Sequence, residues 1–523
     1  MTDMEGTTDD PTYLTYSEDG KQRHGHLLGL FGISELEELT DRWVLTNRRL
    51  YYDVAAWLAV KNLNERQSDI IPSLPSLLGD DCDFHWTYEA RDTQNSQANG
   101  VGDLLAATEE PRSVSTTTST GSNANSTKWQ HPYAIAGGVF SSVTLPMSTL
   151  SGAYGMPFIS GSATSSALDA KPLFSRTLPT NAADAHAAMI YYSNLGVTHV
   201  AIFFEKDPYG ESYNALLHVS AKRVGITLVS IPFTMQDLEE SVQRLKQTGF
   251  RYIYSVMQNR EEALIAAVEG GVLGNEKYSW ICAEMENFKA LEFQLSNEDP
   301  RDRSLAQALD GIGVFVLAFP EHERFQSALT DFSNNPEMEA DFIAAHPEQD
   351  TRELLEFPPP QFNVAQPAFY DAVIALGIAS CRTPGLFTGA EMHKTLLNTT
   401  FEGTTGQVAF DSRTGTRSVD SARFRLDSMF VSEERSDDNF TRFGYRLSNI
   451  VLDGKVEQVD DYLYYGNSTI PPASLPQLEH DYNLIPLGVQ ITGWVLGAVV
   501  MLVSAGLIIG TIVKRHDYVV RAG

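Results

Sequence analysis

The sequence predicts an α/β fold: two lobes, each built on a doubly wound parallel sheet, followed by one C-terminal transmembrane helix. Three observations predict it. Short apolar runs of strand length alternate with helical patterns, in two successive series. That order implies parallel sheets with helices on both faces and a ligand crevice at the carboxyl ends of the strands. Finally, no charged residue occurs from Tyr482 to Val513. A helix needs about 20 apolar residues to cross a bilayer.

The elements follow in order. Residues 26–31 (HLLGLF) read as a first strand. A helix follows over 47–64, with Leu50, Val54 and Leu58 stacked at i, i+4 and i+8. Residues 134–139 are a buried strand, a helix begins at Ser141, and 157–160 is another strand. The second series starts at Asp184, with strands at 200–204, 228–231, 252–256, 278–282 and 314–317. After Asp411 the pattern turns antiparallel-like, as in 422–426. The run 113–127 (SVSTTTSTGSNANST) holds nothing to bury and is expected to be a mobile loop.

Composition narrows the function. The 523 residues are 42% hydrophobic and 20% charged, enough apolar material for a sizeable core. The net charge of −29 argues against nucleic acid, whose phosphates need clustered Lys and Arg. Three cysteines exclude a disulfide-dense scaffold and a four-Cys metal module. Cys282 reads as a core strand residue, Cys381 as the end of a helix and Cys82 as a loop residue, so no necessary disulfide is expected. No Cys/His metal spacing, nucleophile elbow or Walker A motif occurs, and neither a metal, a cofactor nor an enzymatic activity is expected.

The span 487–513 is followed by Lys514, Arg515 and His516, which places the C-terminus in the cytoplasm and the large domain outside the cell or in a lumen. Asn125, Asn398, Asn439 and Asn467 head four glycosylation sequons on that side. The acidic, polar start is not a signal peptide, so the expectation is that the true N-terminus lies upstream.

The stretch AIAGGVFSSVTLPMSTLSGAYGMPFISGSATSSALDAKPLFSRTLPTNAADA, followed by VAIFFEKDPYGES, resembles the extracellular receptor ligand-binding region. This is the Venus flytrap, or type 1 periplasmic-binding-protein-like, module of natriuretic-peptide and class C G-protein-coupled receptors. AAWLAVKNLNER upstream, and PAFYDAVIALGIA and FEGTTGQVAFD downstream, extend the resemblance over about 24–470. The residues GVQITGWVLGAVVMLVSAGLIIGTIVKRHDYVVRA resemble the first transmembrane helix and first intracellular loop of type B gamma-aminobutyric acid receptors. The resemblance implies six further helices after Gly523, a G protein, and a homo- or heterodimer formed through lobe 1. A single-pass receptor or a membrane-anchored solute-binding protein is the alternative.

The expected domains are a disordered 1–23, the ectodomain 24–470, a linker 471–486, the helix 487–513 and a tail 514–523. Lobe 1 is expected over 24–180 and 311–385, and lobe 2 over 181–310 and 386–470. Ser141 and Ser142 stand between a strand and a helix, where N–H groups and hydroxyls attract an anion; a plain N-cap is the alternative. By the resemblance, Ser141, Ser162 and Thr164 hold a ligand carboxylate, Tyr209 covers the ligand from lobe 2, and Glu284 meets its ammonium. A packing aromatic and a solvated loop acid are the alternatives for the last two. The type B pattern has a tryptophan where Gly32-Ile33-Ser34-Glu35 stands, and a glutamate before Tyr370-Asp371 where this chain has 363–367 (NVAQP). These departures count against gamma-aminobutyrate itself. The expected partner is a small amino-acid-like or organic-anion ligand.

Overall fold

A computed structural model describes residues 14–17, 21–37, 42–45, 47–109, 112–115, 126–129, 131–169, 171–257, 260–283, 295, 298–346, 363–418, 423–432, 441, 443–452, 454–475 and 487–514. The chain forms two compact units, Met1–Leu475 and Pro476–Gly523.

In the larger unit, β1 (Thr15–Tyr16) pairs antiparallel with the start of β2 (Arg23–Phe31). The hairpin β3 (Ser34–Glu37) with β4 (Arg42–Leu45) leads to α1 (Asn47–Glu65) and α2 (Leu74–Leu78). Then come β5 (Phe84–Asp92), α3 (Gln97–Glu109) and a hairpin of β6 (Arg112–Ser115) and β7 (Ser126–Trp129). β8 (Ala134–Gly137), α4 (Ser141–Ala153), β9 (Phe158–Ser160) and β10 (Phe174–Arg176) complete the first lobe's sheet. Its order is β1-β2-β8-β9-β10, with β5 on the other edge of β2. Leu27 and Phe31 of β2 face one core and Leu28 and Leu30 another, so each face of the sheet is covered.

The second lobe's sheet begins after α5 (Asn181–Asn194). β11 (His199–Glu205), α6 (Pro208–Val224), β12 (Thr227–Phe233), α7 (Leu238–Gln247), β13 (Tyr252–Val256), α8 (Arg260–Glu269), β14 (Ser279–Ala283), α9 (Pro300–Ala308) and β15 (Gly313–Ala318) alternate as expected. The strands run parallel in the order β12-β11-β13-β14-β15. The chain then returns to the first lobe through α10 (Glu323–Ser333), α11 (Pro336–Ala344), α12 (Ala365–Arg382), α13 (Gly389–Leu397) and the hairpin β16 (Thr400–Gly403) with β17 (Gly406–Ala409). Three antiparallel strands, β18 (Arg423–Val431), β19 (Phe443–Leu452) and β20 (Lys455–Gln458), extend the second sheet from β15.

Four findings differ from the sequence expectations. The crossing points shift: β15, expected in lobe 1, belongs to the second sheet, because both its faces are buried, Phe315 against one core and Val314 and Val316 against the other. Residues from 386, expected in lobe 2, stay in lobe 1, where Met392, Leu396, Phe401 and Val408 join α12 in one core. The crossovers therefore run at 177–180 and at 319–322, and the chain is back on the second sheet at Arg423. Next, the segment expected to be disordered contributes β1, because Leu14 is buried against the first core. The ends of the expected mobile loop 113–127 pair as β6 and β7. Lastly, Cys82 and Cys381 form a disulfide, with Cα atoms 4.9 Å apart across 299 residues. The packing of α12 against the first sheet brings them together. Cys282 is buried and stands outside the disulfide, its Sγ accepting from Ser255 Oγ at 2.9 Å.

The smaller unit holds α14 (Leu487–Val513), long and apolar enough to cross a membrane. None of its apolar stretch is buried, which sets it apart from a core helix.

Candidate ligand-binding site

The site begins at the turn from β8 into α4. Gly138 makes that turn with φ +71°, where a Cβ would stand 2.4 Å from Thr144 Oγ1. No side chain caps α4, whose N-cap is Phe140. Backbone N–H groups at such a start carry partial positive charge. Ser141 is buried at the first position and Ser142 is half-buried beside it.

The loop after β9 packs onto this helix start. Ser160 Oγ donates to Gly138 O at 2.8 Å and accepts from Ser162 N and Ala163 N. Gly161 sits against Phe369, where a Cβ would fall 2.5 Å from the backbone nitrogen. Ser165 N–H donates to Ser141 Oγ at 3.2 Å. Arg176, wholly buried, holds the same loop from behind. Its Nη1 donates to Ala163 O (3.1 Å) and Ser165 O (2.8 Å), its Nε to Thr416 Oγ1 (3.0 Å), and its Nη2 to Asp169. Burial pulls the guanidinium down to about 10 against the opposing pull of Asp169, so it stays charged at neutral pH.

The second lobe reaches this loop through α6. Asp207 Oδ1 accepts from Gly210 N–H at 2.7 Å and caps the helix. Burial raises its carboxyl to about 6, against the Gly210 N–H and with help from Glu205. Ser165 Oγ donates to Pro208 O at 3.1 Å, Ser166 N–H to Ser212 Oγ at 3.0 Å, and the two serine hydroxyls lie 2.8 Å apart. These bonds join the lobes directly.

Ser141 and Thr164 are thus brought to one place, and the first turn of α6, carrying Tyr209, is bonded to it. Ser162 lies half-buried in the same loop. Tyr209 is buried, its ring edge-on to Tyr213 at 5.8 Å, so it packs on the second lobe as well as meeting the seam. Glu284 lies outside the described residues, directly after β14. Of the sequons, Asn398 and Asn467 are exposed, and Asn125 and Asn439 lie outside the described residues.

Asn181 was not singled out from the sequence. It is wholly buried at the start of α5, its N–H donates to Thr164 O at 3.3 Å, and neither side-chain atom has a hydrogen-bond partner among the described residues. Buried amides are nearly always partnered, so this one marks a place for water or ligand. The signal was legible in principle: Thr180 already caps α5 by accepting from Ala182 N–H, which leaves the neighbouring Asn without a capping duty.

Two interleaved α/β lobes that meet over a hydroxyl-lined loop and a helix start define a bilobal ligand-binding protein. Residues 71–420, more than half of the chain, match the model of the receptor family ligand binding region. The chain belongs to that family. No curated protein matches it.

Proposed function

We propose that the chain is the ligand-sensing part of a cell-surface receptor, of the class C G-protein-coupled type and similar to type B gamma-aminobutyric acid receptors. It binds a small anionic or zwitterionic ligand between its lobes and has no catalytic role. The observation that carries this reading is the meeting of Ser141, the 160–166 loop and the first turn of α6, with Asn181 bonded to that loop through Thr164 O and its buried carboxamide unpartnered among the described residues. The ligand carboxylate docks first on lobe 1, at Ser141, Ser142, Ser162, Thr164 and the start of α4. Lobe 2 then closes, bringing Tyr209 and Glu284 over it, with Asn181 as an added polar contact. Closure shifts only if the closed state binds more tightly. A swing from 1:99 to 99:1 needs about 5.5 kcal/mol, and charge-assisted hydrogen bonds contribute roughly 1.5–3 kcal/mol each, so two to four contacts from lobe 2 suffice.

The helix α14 spans the membrane in this reading, with Lys514 and Arg515 cytosolic, glycans on Asn398 and Asn467, dimers formed through lobe 1 and a G protein as effector. Calorimetry of the full chain in non-ionic detergent, across a panel of amino acids and organic anions, tests the site. Ser141→Ala with Thr164→Ala is expected to weaken binding about 100-fold, two lost hydrogen bonds to a charged group. A ligand bound equally well by wild type and double variant refutes the assignment.

A further inference from the structure

We propose that His24 and His85, side by side on the first sheet, form a binding site for a divalent transition cation of the Zn2+ or Cu2+ class. Spacing along the chain does not reveal the pair; strand register makes it. β2 and β5 run parallel, with His24 directly opposite His85 and His26 opposite Thr87. Alternation decides their face. Between the two β2 histidines, a Cβ at Gly25 would stand 2.8 Å from the Phe84 ring, and Phe84 and Trp86 belong to the core that holds α1. His24, His26, His85 and Thr87 therefore take the opposite face, on which Leu28 and Leu30 pack with Leu104, Val143 and Met147 of α3 and α4. They occupy the starts of their strands, short of that apolar cluster. The serine loop and the start of α4 follow the strand ends, so the two sites lie at opposite edges of the sheet. His131 stands just before β8, the neighbour of β2 on its other side. His24, His26, His85 and His131 are four of the chain's 12 histidines, gathered at one edge.

The geometry suits a metal. The ring centres of His24 and His85 are 5.3 Å apart, with the ring planes at 65°. Two imidazoles on one tetrahedral ion, each nitrogen about 2.0–2.1 Å from it, hold their ring centres about 5 Å apart. Little movement of either ring is then needed. Both side chains are half-buried, so an ion from solvent can reach them. Among the described residues no three His, Cys, Asp or Glu side chains already converge, so water fills the remaining coordination positions in this arrangement. His26 is the reserve ligand. Its Nδ1 lies 2.9 Å from Thr87 Oγ1 and its Nε2 3.9 Å from Glu89 Oε2, and a change of rotamer turns it towards His24. Glu89 is held by Arg91 Nε at 3.0 Å and stays with that partner. Neutral nitrogen donors select Zn2+ and Cu2+ over Mg2+ and Ca2+, which prefer oxygen. The net charge of −29 raises the local concentration of cations. A bound ion clips β2 to β5 and stabilises the first lobe by mass action.

Calorimetric titration of the untagged, chelator-stripped full chain in non-ionic detergent tests this, with ZnCl2 and CuCl2 against MgCl2. Saturable binding is expected for Zn2+, tighter binding for Cu2+, and none for Mg2+. His24→Gln or His85→Gln should weaken either transition ion by at least about tenfold, since changes outside the coordination sphere alone cost that much. His26→Gln should weaken them less. The exposed His218 on α6, 2.6 Å from Ser230 Oγ, is the control, and His218→Gln should leave the titration unchanged. A second measurement, on the wild-type chain, guards against a folding defect in the variants: Zn2+ should slow hydrogen–deuterium exchange in peptides covering 21–28 and 84–90. Zn2+ that fails to bind, binds the His24 and His85 variants as tightly as wild type, or protects only peptides elsewhere overturns the proposal. Mg2+ binding as tight as that of Zn2+ also overturns it, because it marks an oxygen site.

Discussion

At Arg176 a full positive charge is held inside the protein by two carbonyls, a hydroxyl and one carboxylate. Removing one partner of a buried ion pair leaves the other uncompensated and costs about 3–5 kcal/mol. Arg176→Gln is therefore expected to lower the melting temperature sharply, in calorimetric scans of the full chain, and to loosen the loop that carries Ser162 and Thr164. A second buried pair gives a pH signature. His346 Nε2 lies 2.6 Å from Asp53 Oδ2, its Nδ1 faces Phe342 O, Tyr88 donates to the same aspartate, and Glu89 is the next charge. Burial pulls the imidazole down, but Asp53, the Phe342 carbonyl and Glu89 together outweigh it and raise it above the usual 6.5. A raised folded value means that the stabilisation is complete below pH 6.5 and is lost as pH rises through the folded value. The gap in melting temperature between wild type and His346→Gln should thus be widest in acid and shrink above pH 6.5; a gap that widens with pH contradicts the assignment. That Ser141 and Thr164 share one edge was legible in the sequence, because hydroxyls after apolar strands fall at the sheet's carboxyl edge. Asn181 and Arg176 were not, because their roles depend on contacts with Thr164 and Thr416 that only the folded chain makes.

Among the elements, strands were read most surely. Val200, Ile202 and Phe204 of β11 face one core, and Ala201 and Phe203 the other, as a two-sided buried strand requires. The disulfide was missed for a physical reason: Cys82 precedes β5 and Cys381 ends α12, and nothing local records that α12 lies against that end of the first sheet. Closing so long a loop restricts the unfolded chain, and loss of a native disulfide typically costs 2–5 kcal/mol. Cys82→Ser with Cys381→Ser should lower the melting temperature of the full chain, and reductant should then have no further effect. An unchanged melting temperature would mean that the bond contributes nothing to stability.

For the whole molecule, the two-lobed order was legible, while the crossings at 319–322 and beyond 418 were not. A helix such as α13 looks alike whichever core receives its Met392 and Leu396. The central claim is that the lobes meet over the site through the serine loop and α6. Ser166→Cys with Ser212→Cys tests it most directly, since the two hydroxyls are 2.8 Å apart. Under mild oxidation of the full chain, mass spectrometry of non-reduced peptides should find an intramolecular 166–212 bond beside the 82–381 bond, formed faster when a ligand is bound. No such bond under any condition, or one formed only between molecules, would contradict the account.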